Sequence, residues 1–359
     1  MQNNLKIAGF TAVLTAAASL TATAAGVPIN DYLSVDGYVA AAATYTKTSS
    51  GSHEYTLFDS PNGDSRFGSN LDQIKFGLRA KYKDFGAYAS VLYYPDRVGA
   101  REAGILDAYV YWKNEASGVT VTAGKFLSSF GYESYYPIYN SLISGSLVSG
   151  IPGYHTGLKV EYAHAGSGFS TGLAVVDSLQ PGRGFEAGDG DLHDVGIELY
   201  FKYQAVKGSF LEGLTIFTGV GLDTGRDDKP RRVGFDEFGD SIYDTERQWV
   251  VDFWAEYQVT DQLRFAAEVS YAERVANISW LAFGEYSFTS GVSLAARVSG
   301  YKYHDDQLYS IGVAPTLNLG KLFEVKAIEG LSLRGEISYL YVKDGHDGYF
   351  FGSQLLFQF

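Results

Sequence analysis

The chain has 359 residues, and its 41 acidic residues outnumber its 28 basic residues, which gives a net charge of −13. This balance disfavours a nucleic-acid partner, which would require a basic stripe. There is no cysteine, so an exported form of the chain has no disulfide framework. Aromatic residues make up 15% of the chain, and glycine is abundant at 42 residues.

The first 25 residues are interpreted as a cleaved secretory leader. Lys6 precedes an apolar, Ala-rich run, and the stretch 22–25 contains two small-x-small cleavage sites. The run is too short, and its side chains too small, to span a bilayer well, although a retained N-terminal anchor is the alternative. Loss of Lys6 leaves 27 basic against 41 acidic residues, a net charge of about −14.

Alternation of apolar and polar residues is the dominant pattern after the leader. Between residues 72 and 82, apolar and polar side chains fall on opposite faces of an extended chain. The apolar face holds Ile74, Phe76, Leu78, Ala80 and Tyr82, and the other face holds Gln73, Lys75, Gly77, Arg79 and Lys81. A helix would mix these two sets, so the pattern predicts a strand. No later stretch approaches the roughly 18 apolar residues of a membrane-spanning helix.

The same alternation predicts sixteen strands, which begin near residues 32, 72, 86, 105, 119, 153, 168, 194, 213, 247, 262, 277, 291, 307, 331 and 349. In the fourth strand, the apolar face consists of Leu106, Ala108, Val110 and Trp112, and the opposite face carries Asp107, Tyr109, Tyr111 and Lys113. The strand count could differ by two, because 272–279 and 319–330 admit other divisions.

The connections between these strands alternate in length. The long ones are 47–70, 95–104, 127–152, 178–192 and 224–246, and the short ones include 83–84, 114–118 and 164–167. Alternating lengths indicate up-and-down antiparallel strands with long loops on one rim. The predicted fold is therefore all-β, a transmembrane up-and-down antiparallel β-barrel of about 16 strands, with one domain over residues 26–359.

Aromatic residues at the ends of the apolar face separate this barrel from its alternative, a soluble all-β protein. They are Tyr45, Tyr93, Trp112, Tyr154, Tyr162, Tyr203, Trp249, Tyr257, Tyr271 and Tyr286. Amphipathic rings in these places are typical of the girdles that meet lipid headgroups.

Two resemblances to known proteins follow from the motifs. The segment YFFGSQLLFQF resembles the C-terminal strand of bacterial outer-membrane proteins, which implies that Phe359 is an assembly signal. Residues 124–160 resemble the OmpL-like β-barrel porins through Gly124, Lys125, Gly131, Glu133, Asn140, Ser144, Pro152, His155, Thr156 and Gly157. The resemblance implies a porin-like channel for ions or small hydrophilic solutes in the outer membrane of a Gram-negative bacterium. By similarity to general porins, a homotrimer is also expected, and no cofactor is implied.

A barrel of this size leaves a water-filled lumen, so its inner face should be polar. The predicted inner face holds nine cations (Lys75, Arg79, Lys81, Lys113, Lys159, Lys202, Arg264, Arg297 and Arg334) and ten carboxylates (Asp36, Asp107, Glu161, Glu198, Asp223, Asp252, Glu256, Glu268, Glu285 and Glu336). The candidate pore-lining residues are Lys75, Arg79, Lys81, Tyr109, Glu133, Lys159, Asp252, Glu256, Arg264, Arg297 and Arg334. Lys75, Arg79 and Lys81 form a strand-two ladder that could face Asp252 and Glu256 across the pore and create a transverse field. Ordinary solvated lining is the alternative.

The connection 127–152 is unusual because Glu133 is its only charged residue. It also contains apolar residues that a hydrated rim loop does not need: Leu142, Ile143, Leu147, Val148 and Ile151. We therefore expect it to fold inward as a constriction loop, with Glu133 facing the strand-two ladder. General porins place their constriction loop at the same position, between strands five and six. The alternative is an outer loop that packs on a neighbouring subunit.

The remaining long connections are acidic. Loops 178–192 and 224–246 hold ten carboxylates, which indicates strong hydration and allows divalent bridging to lipopolysaccharide. No complete calcium or zinc motif and no phosphate-binding loop is present, so no metal or cofactor is expected. A closed barrel with a structural, adhesive or hydrolytic role is the competing function, but no histidine stands in obvious register with a serine.

Overall fold

The computed structural model describes residues 26–48, 66–95, 101–134, 140–148, 150–164, 166–179, 195–224, 231–235, 241–244, 248–273, 276–303, 306–343 and 347–359. Sixteen long strands form its sheet: β1 (Leu33–Thr48), β2 (Arg66–Tyr82), β3 (Phe85–Pro95), β4 (Arg101–Asn114), β5 (Val119–Leu127), β6 (Tyr154–Ala163), β7 (Phe169–Val176), β8 (Gly196–Gln204), β9 (Leu214–Asp223), β10 (Gln248–Gln258), β11 (Leu263–Ala272), β12 (Ala276–Thr289), β13 (Val292–Tyr303), β14 (Asp306–Asn318), β15 (Leu331–Val342) and β16 (Gly348–Gln358). The predicted leader, 1–25, lies outside the described residues.

The sheet closes on itself. Each strand pairs antiparallel with the next along the chain, and β16 pairs with β1 from Gly348↔Thr48 to Gln358↔Tyr38. A two-residue strand, Val27–Pro28, extends the sheet beside β1. This closed antiparallel barrel of sixteen strands confirms the predicted fold, and closure pairs each of the sixteen strands on both sides. Among the described residues, no helix has both the length and the apolar character needed to cross a membrane.

The prediction of alternating loop lengths is correct for the connections that follow β1, β5, β7 and β9, which are long. On the same side of the barrel, the connections that follow β3, β11, β13 and β15 have only two to five residues. The longest connection on the short-turn side joins β14 to β15 and contains α1 (Leu319–Leu322) and a 3-10 turn (Lys326–Ile328). A separate hairpin (Arg231–Phe235 and Ser241–Asp244) stands in the connection between β9 and β10.

The two faces of the wall differ as the alternation predicts. Along β8, Leu199 and Phe201 are exposed on the outside, whereas Glu198 and Tyr200 are buried on the inside. The assignment of Leu106 to the outer face is wrong. In the pairing of β3 with β4, Ser90 opposes Asp107 and Val91 opposes Ile105, so a bulge leaves Leu106 without a partner and it is buried.

Aromatic side chains occur at both ends of the outer face. Trp249 and Tyr271 are exposed at the long-loop end of their strands, and Tyr257 and Tyr286 are exposed at the short-turn end. Tyr154 departs from the predicted girdle, because it is partly buried against a cluster that includes Tyr38 and Leu106.

Candidate functional site

The described parts of the connection between β5 and β6 (128–134, 140–148 and 150–153) lie inside the barrel, and we name the connection 128–153 the inner segment. Its described parts contact inward-facing side chains of the wall from β8 round to β16. It leaves β5 at Ser128, whose hydroxyl donates to Glu198 of β8 at 2.6 Å. Because the inner wall carries charged and polar side chains, backbone groups of the segment find hydrogen-bond partners inside the lumen.

Backbone N–H groups of the inner segment donate to carboxylates of the wall. Gly131 N donates to Asp252 at 2.8 Å, and Tyr132 N donates to Glu268 at 3.1 Å. The Tyr132 hydroxyl donates to Glu256 at 2.8 Å. These contacts fix the start of the segment against β10 and β11.

Arg297 of β13 holds the middle of the inner segment. Its guanidinium donates to Glu133 Oε1 at 2.6 Å, to the carbonyls of Ser144 and Gly145 at 3.0 and 2.7 Å, and to Ser144 Oγ at 3.1 Å. Glu133 in turn accepts from Ser146 N at 2.9 Å. The prediction that Glu133 faces the strand-two ladder is therefore wrong: its carboxylate pairs with an arginine on a different part of the wall.

Strand β15 holds the next part of the segment through one glutamate and one arginine. Glu336 accepts from Ser144 N at 2.7 Å and also from the Ser144 hydroxyl. Arg334 donates to the Leu142 carbonyl at 2.9 Å, and also to the Asn140 carbonyl. Arginines thus bind the carbonyls of the inner segment, and carboxylates bind its N–H groups.

Apolar side chains of the inner segment pack where the wall has glycine. Leu142 is fully buried, and a Cβ built on Gly312 would lie 2.8 Å from its Cδ2. A Cβ on Gly219 would lie 2.7 Å from the ring of Phe130. These glycines of β9 and β14 therefore leave the space in which the segment docks.

A row of aromatic side chains inside the barrel was missed by the sequence reasoning. Phe217 stacks on Tyr200 with ring centroids 5.5 Å apart and on Trp254 with centroids 5.3 Å apart. Tyr132 of the inner segment meets the edge of Trp254 at 5.7 Å. The available signal was a large aromatic ring on the charged face: Trp254 stands between Asp252 and Glu256 in β10.

The other half of the wall, from β1 to β6, carries the strand-two ladder. Lys75 lies 3.4 Å from Asp107, and the Arg79 guanidinium lies 3.6 Å from Asp36. Arg79 also lies over the ring of Tyr88, 4.7 Å from its centroid. The ladder is therefore interleaved with carboxylates of neighbouring strands.

The remaining candidates divide between the two halves. Lys159 lies 3.3 Å from Glu161 on β6, and the ring of Tyr109 lies 5.7 Å from that of Tyr88. Lys81 lies on the inner face of β2 and is half-buried. Arg264 of β11 pairs with Glu256 at 3.3 Å and also with Glu285.

The inner segment lies over the two acids of the predicted transverse field. Asp252 and Glu256 both accept hydrogen bonds from the inner segment, which therefore covers them. Among the residues that the structure describes, no group of three or more His, Asp or Glu could hold a metal ion.

Comparisons with known proteins agree with this architecture. The model of a family described as "Putative beta-barrel porin-2, OmpL-like" matches residues 32–356. An anion-selective porin from Comamonas acidovorans has a TM-score of 0.59 and 11% identity, over 91% of this chain and 99% of that chain. The outer membrane channel DcaP of Acinetobacter baumannii has a TM-score of 0.57 and 10% identity, over 94% and 100% of the two chains.

A third structure is OmpT of Vibrio cholerae, folded in vitro and in its trimer form. It has a TM-score of 0.56 and 12% identity, over 92% of this chain and 100% of that chain. No curated protein matches the sequence. Since the family match extends over nearly the whole barrel, the chain belongs to the OmpL-like family of β-barrel porins and is a protein of the Gram-negative outer membrane.

Proposed function

We propose that the protein is a porin, a water-filled channel for passive diffusion of ions and small hydrophilic solutes. The observation that carries the proposal is a closed barrel of sixteen strands with charged and polar side chains along its inner face. Barrels of this size enclose an aqueous channel when their interior is polar. The channel of Acinetobacter baumannii and the porin of Comamonas acidovorans share this fold, which supports the same kind of role.

The inner segment sets the width of the channel in this proposal. It lies against β8 to β16 and leaves β1 to β6 as the wall beside the open path. Three buried residues fix it, since Asp252, Arg297 and Glu336 each bind its backbone. A constriction anchored at several points on the wall keeps its position, which a narrow pore with constant conductance requires.

Single-channel recording of the refolded protein in planar bilayers tests the proposal. The wild-type protein should give stable, ohmic steps, and deletion of residues 134–148 should give larger steps, because the deletion removes the part of the segment held by β13 and β15. Lys207→Ala, in the exposed turn between β8 and β9, is the matched control and should conduct as the wild type does. A folded barrel without conductance would contradict the porin, and equal steps after deletion would contradict the constriction.

A hydrolytic role receives no support from Ser128 and His155, which both contact Glu198. Ser128 donates to Glu198, and His155 Nε2 lies 3.6 Å from the other oxygen of the same carboxylate. A nucleophilic serine needs the histidine as its direct partner, whereas here the glutamate stands between them. All three side chains are buried, so we propose a channel without enzymatic activity.

The proposed partners are those of a porin. Outer-membrane lipid would cover the exposed apolar outer face, and lipopolysaccharide would meet the acidic connections 178–192 and 224–246, most of which lie outside the described residues. The trimer form of the Vibrio cholerae protein supports a homotrimer. Cross-linking of the protein in detergent, followed by mass analysis, would test that state.

A further inference from the structure

A cluster of apolar side chains interrupts the polar inner face on the wall that borders the proposed path. It consists of residues of β16, β1, β3 and β4, and we name it the apolar patch: Tyr38, Ala40, Leu92, Leu106 and Leu356. Each of these side chains is at most 4% exposed. Since a water-filled lumen favours polar side chains on this face, the patch marks a part of the path that water fills poorly.

The patch is continuous across neighbouring strands. Leu356 stands opposite Ala40 across the seam between β16 and β1. Tyr38 of β1 and Leu92 of β3 stand opposite the same residue of β2, Lys75. The apolar side chains therefore cross the wall as one band and are not scattered singly.

Two bulges accompany this band. The bulge at Leu106 turns that side chain from the outer face, where strict alternation would place it, to the inner face. A second bulge lies in β2, where Asp72 has no pairing partner on β1 and the next residue, Gln73, stands opposite Ala40. Since bulges re-aim side chains, the backbone itself adds an apolar group to the inner face here.

The polar side chains within the band bind one another. The Tyr38 hydroxyl donates to Gln73 Oε1 at 2.9 Å, and the Ser90 hydroxyl donates to Asp107 at 2.6 Å. Lys75 lies 3.4 Å from the same carboxylate. All five side chains are buried. Because buried polar groups bind partners in the protein in place of water, these contacts indicate that water is largely excluded from the band.

Exposure changes along the strands on both sides of the patch. On β1, the inner-face residues Asp36 and Ala42 are partly exposed, whereas the patch residues between them are buried. On β16, Gln358 and Gly352 are partly exposed, and Leu356 between them is buried. The free space of the lumen is therefore smallest beside the patch and larger towards both ends of these strands.

The inner segment approaches the patch at β16 and again at β6. A Cβ built on Gly352 of β16 would lie 3.2 Å from Ile143 Cδ1. Gln354 of the same strand accepts at 3.1 Å from Arg334, the arginine that also binds the inner segment. Tyr154, the residue directly after the segment, packs against the patch. The segment and the patch therefore enclose the proposed path together.

We propose that the apolar patch and Tyr154 form a constriction that selects against strongly hydrated ions, and that the channel favours weakly hydrated solutes of similar size. The proposal rests on the porin function above and adds the chemistry of the narrow part of the channel. An ion must give up part of its hydration shell at an apolar constriction, and apolar side chains offer no hydrogen bonds in return. A constriction that acts through width alone would respond to the size of the patch side chains but not to their polarity.

Single-channel conductance in CsCl and in LiCl tests the proposal, because Cs⁺ holds its hydration shell less strongly than Li⁺. The wild-type conductance ratio, CsCl over LiCl, should exceed the ratio of the two bulk conductivities. Leu92→Asn with Leu106→Asn adds polarity at nearly constant volume, so the ratio should fall to the bulk value and the LiCl step should rise at least about twofold. Leu308→Asn with Leu340→Asn, on the inner face behind the inner segment, is the matched control and should keep the wild-type ratio.

The outcomes separate the constriction from the porin function. A wild type that conducts at the bulk ratio, a patch variant that keeps the wild-type ratio, or a control variant that changes it as strongly, would overturn the proposal and leave the porin in place. A silent wild type beside a conducting patch variant would contradict the open porin but support the patch as the point of closure. A folded barrel that carries no current in either form would refute the porin function and the constriction with it.

A chemical measurement avoids dependence on the folding of the double variant. The chain has no cysteine, so Ala40→Cys and Ala42→Cys each introduce a single small thiol, the first in the patch and the second two residues beyond it on the same face. A hydrophilic thiosulfonate should modify Ala42→Cys at least about tenfold faster than Ala40→Cys, because a buried thiol forms little thiolate. Equal rates would show that water reaches the patch and would overturn the constriction.

Discussion

Arg297 and Glu133 join the wall of the barrel to the inner segment, with a guanidinium nitrogen 2.6 Å from a carboxylate oxygen. The arginine also binds the carbonyls of Ser144 and Gly145, so one side chain orders two separate stretches of the segment. Since a charge buried without a partner is costly, this contact fixes both groups together.

Arg297→Met should loosen the inner segment. Removal of one partner of a buried ion pair typically costs about 3–5 kcal/mol, because the other charge stays buried. We expect faster proteolysis of residues 134–148 and larger or noisier single-channel steps. Adding Glu133→Gln removes the orphaned charge and should restore part of the loss. Wild-type proteolysis and conductance in the single variant would show that this pair does not anchor the segment.

Gly219→Ala should disturb the docking of Phe130. The added Cβ would lie 2.7 Å from the phenyl ring, and overpacking of this kind costs about 1–3 kcal/mol. The midpoint of thermal unfolding in detergent, followed by circular dichroism, should fall. Gly145→Ala is the matched control, because no atom lies within 4 Å of its built Cβ. Equal midpoints for the two variants would mean that Gly219 provides no necessary space.

Phe217→Ala should remove the centre of the inner aromatic row. Phe217 is fully buried between Tyr200 and Trp254, and deletion of a buried phenyl ring costs about 3–5 kcal/mol. The unfolding midpoint should fall clearly further than in Phe201→Ala, whose side chain is exposed on the outer face. Equal unfolding midpoints for the two variants would show that the aromatic row does not stabilise the barrel.

Phe359→Ala should reduce the amount of folded barrel in the outer membrane. Phe359 and Gly37 exchange two backbone hydrogen bonds of 3.0 Å at the seam between the last and first strands, and the two rings Phe357 and Phe359 stack 6.1 Å apart. The heat-modifiable fraction on an electrophoresis gel measures folding. Leu355→Ala, on the outer face of β16, is the control and should assemble normally. Full assembly of the Phe359→Ala variant would contradict the prediction that Phe359 is an assembly signal.

Period-two alternation by itself predicted about sixteen strands, their approximate bounds and their two faces, because a pleated strand sends successive side chains to opposite sides. It failed at Leu106, since a bulge depends on the pairing with β3 and not on the residues of β4 alone. The absence of charge in 127–152, apart from Glu133, also pointed to a segment that avoids bulk water. Local composition was therefore enough to predict the barrel and the unusual character of this connection.

Only the tertiary structure decided where the inner segment lies and which charges it covers. Gly131 and Asp252 are 121 positions apart, and Ser144 and Glu336 are 192 positions apart, so no local pattern relates them. In the sequence, nine cations and ten carboxylates look balanced around the lumen. Closure of the barrel brings seven of these carboxylates within hydrogen-bond distance of folded chain segments, and these contacts depend on position in space, which no alternation pattern contains.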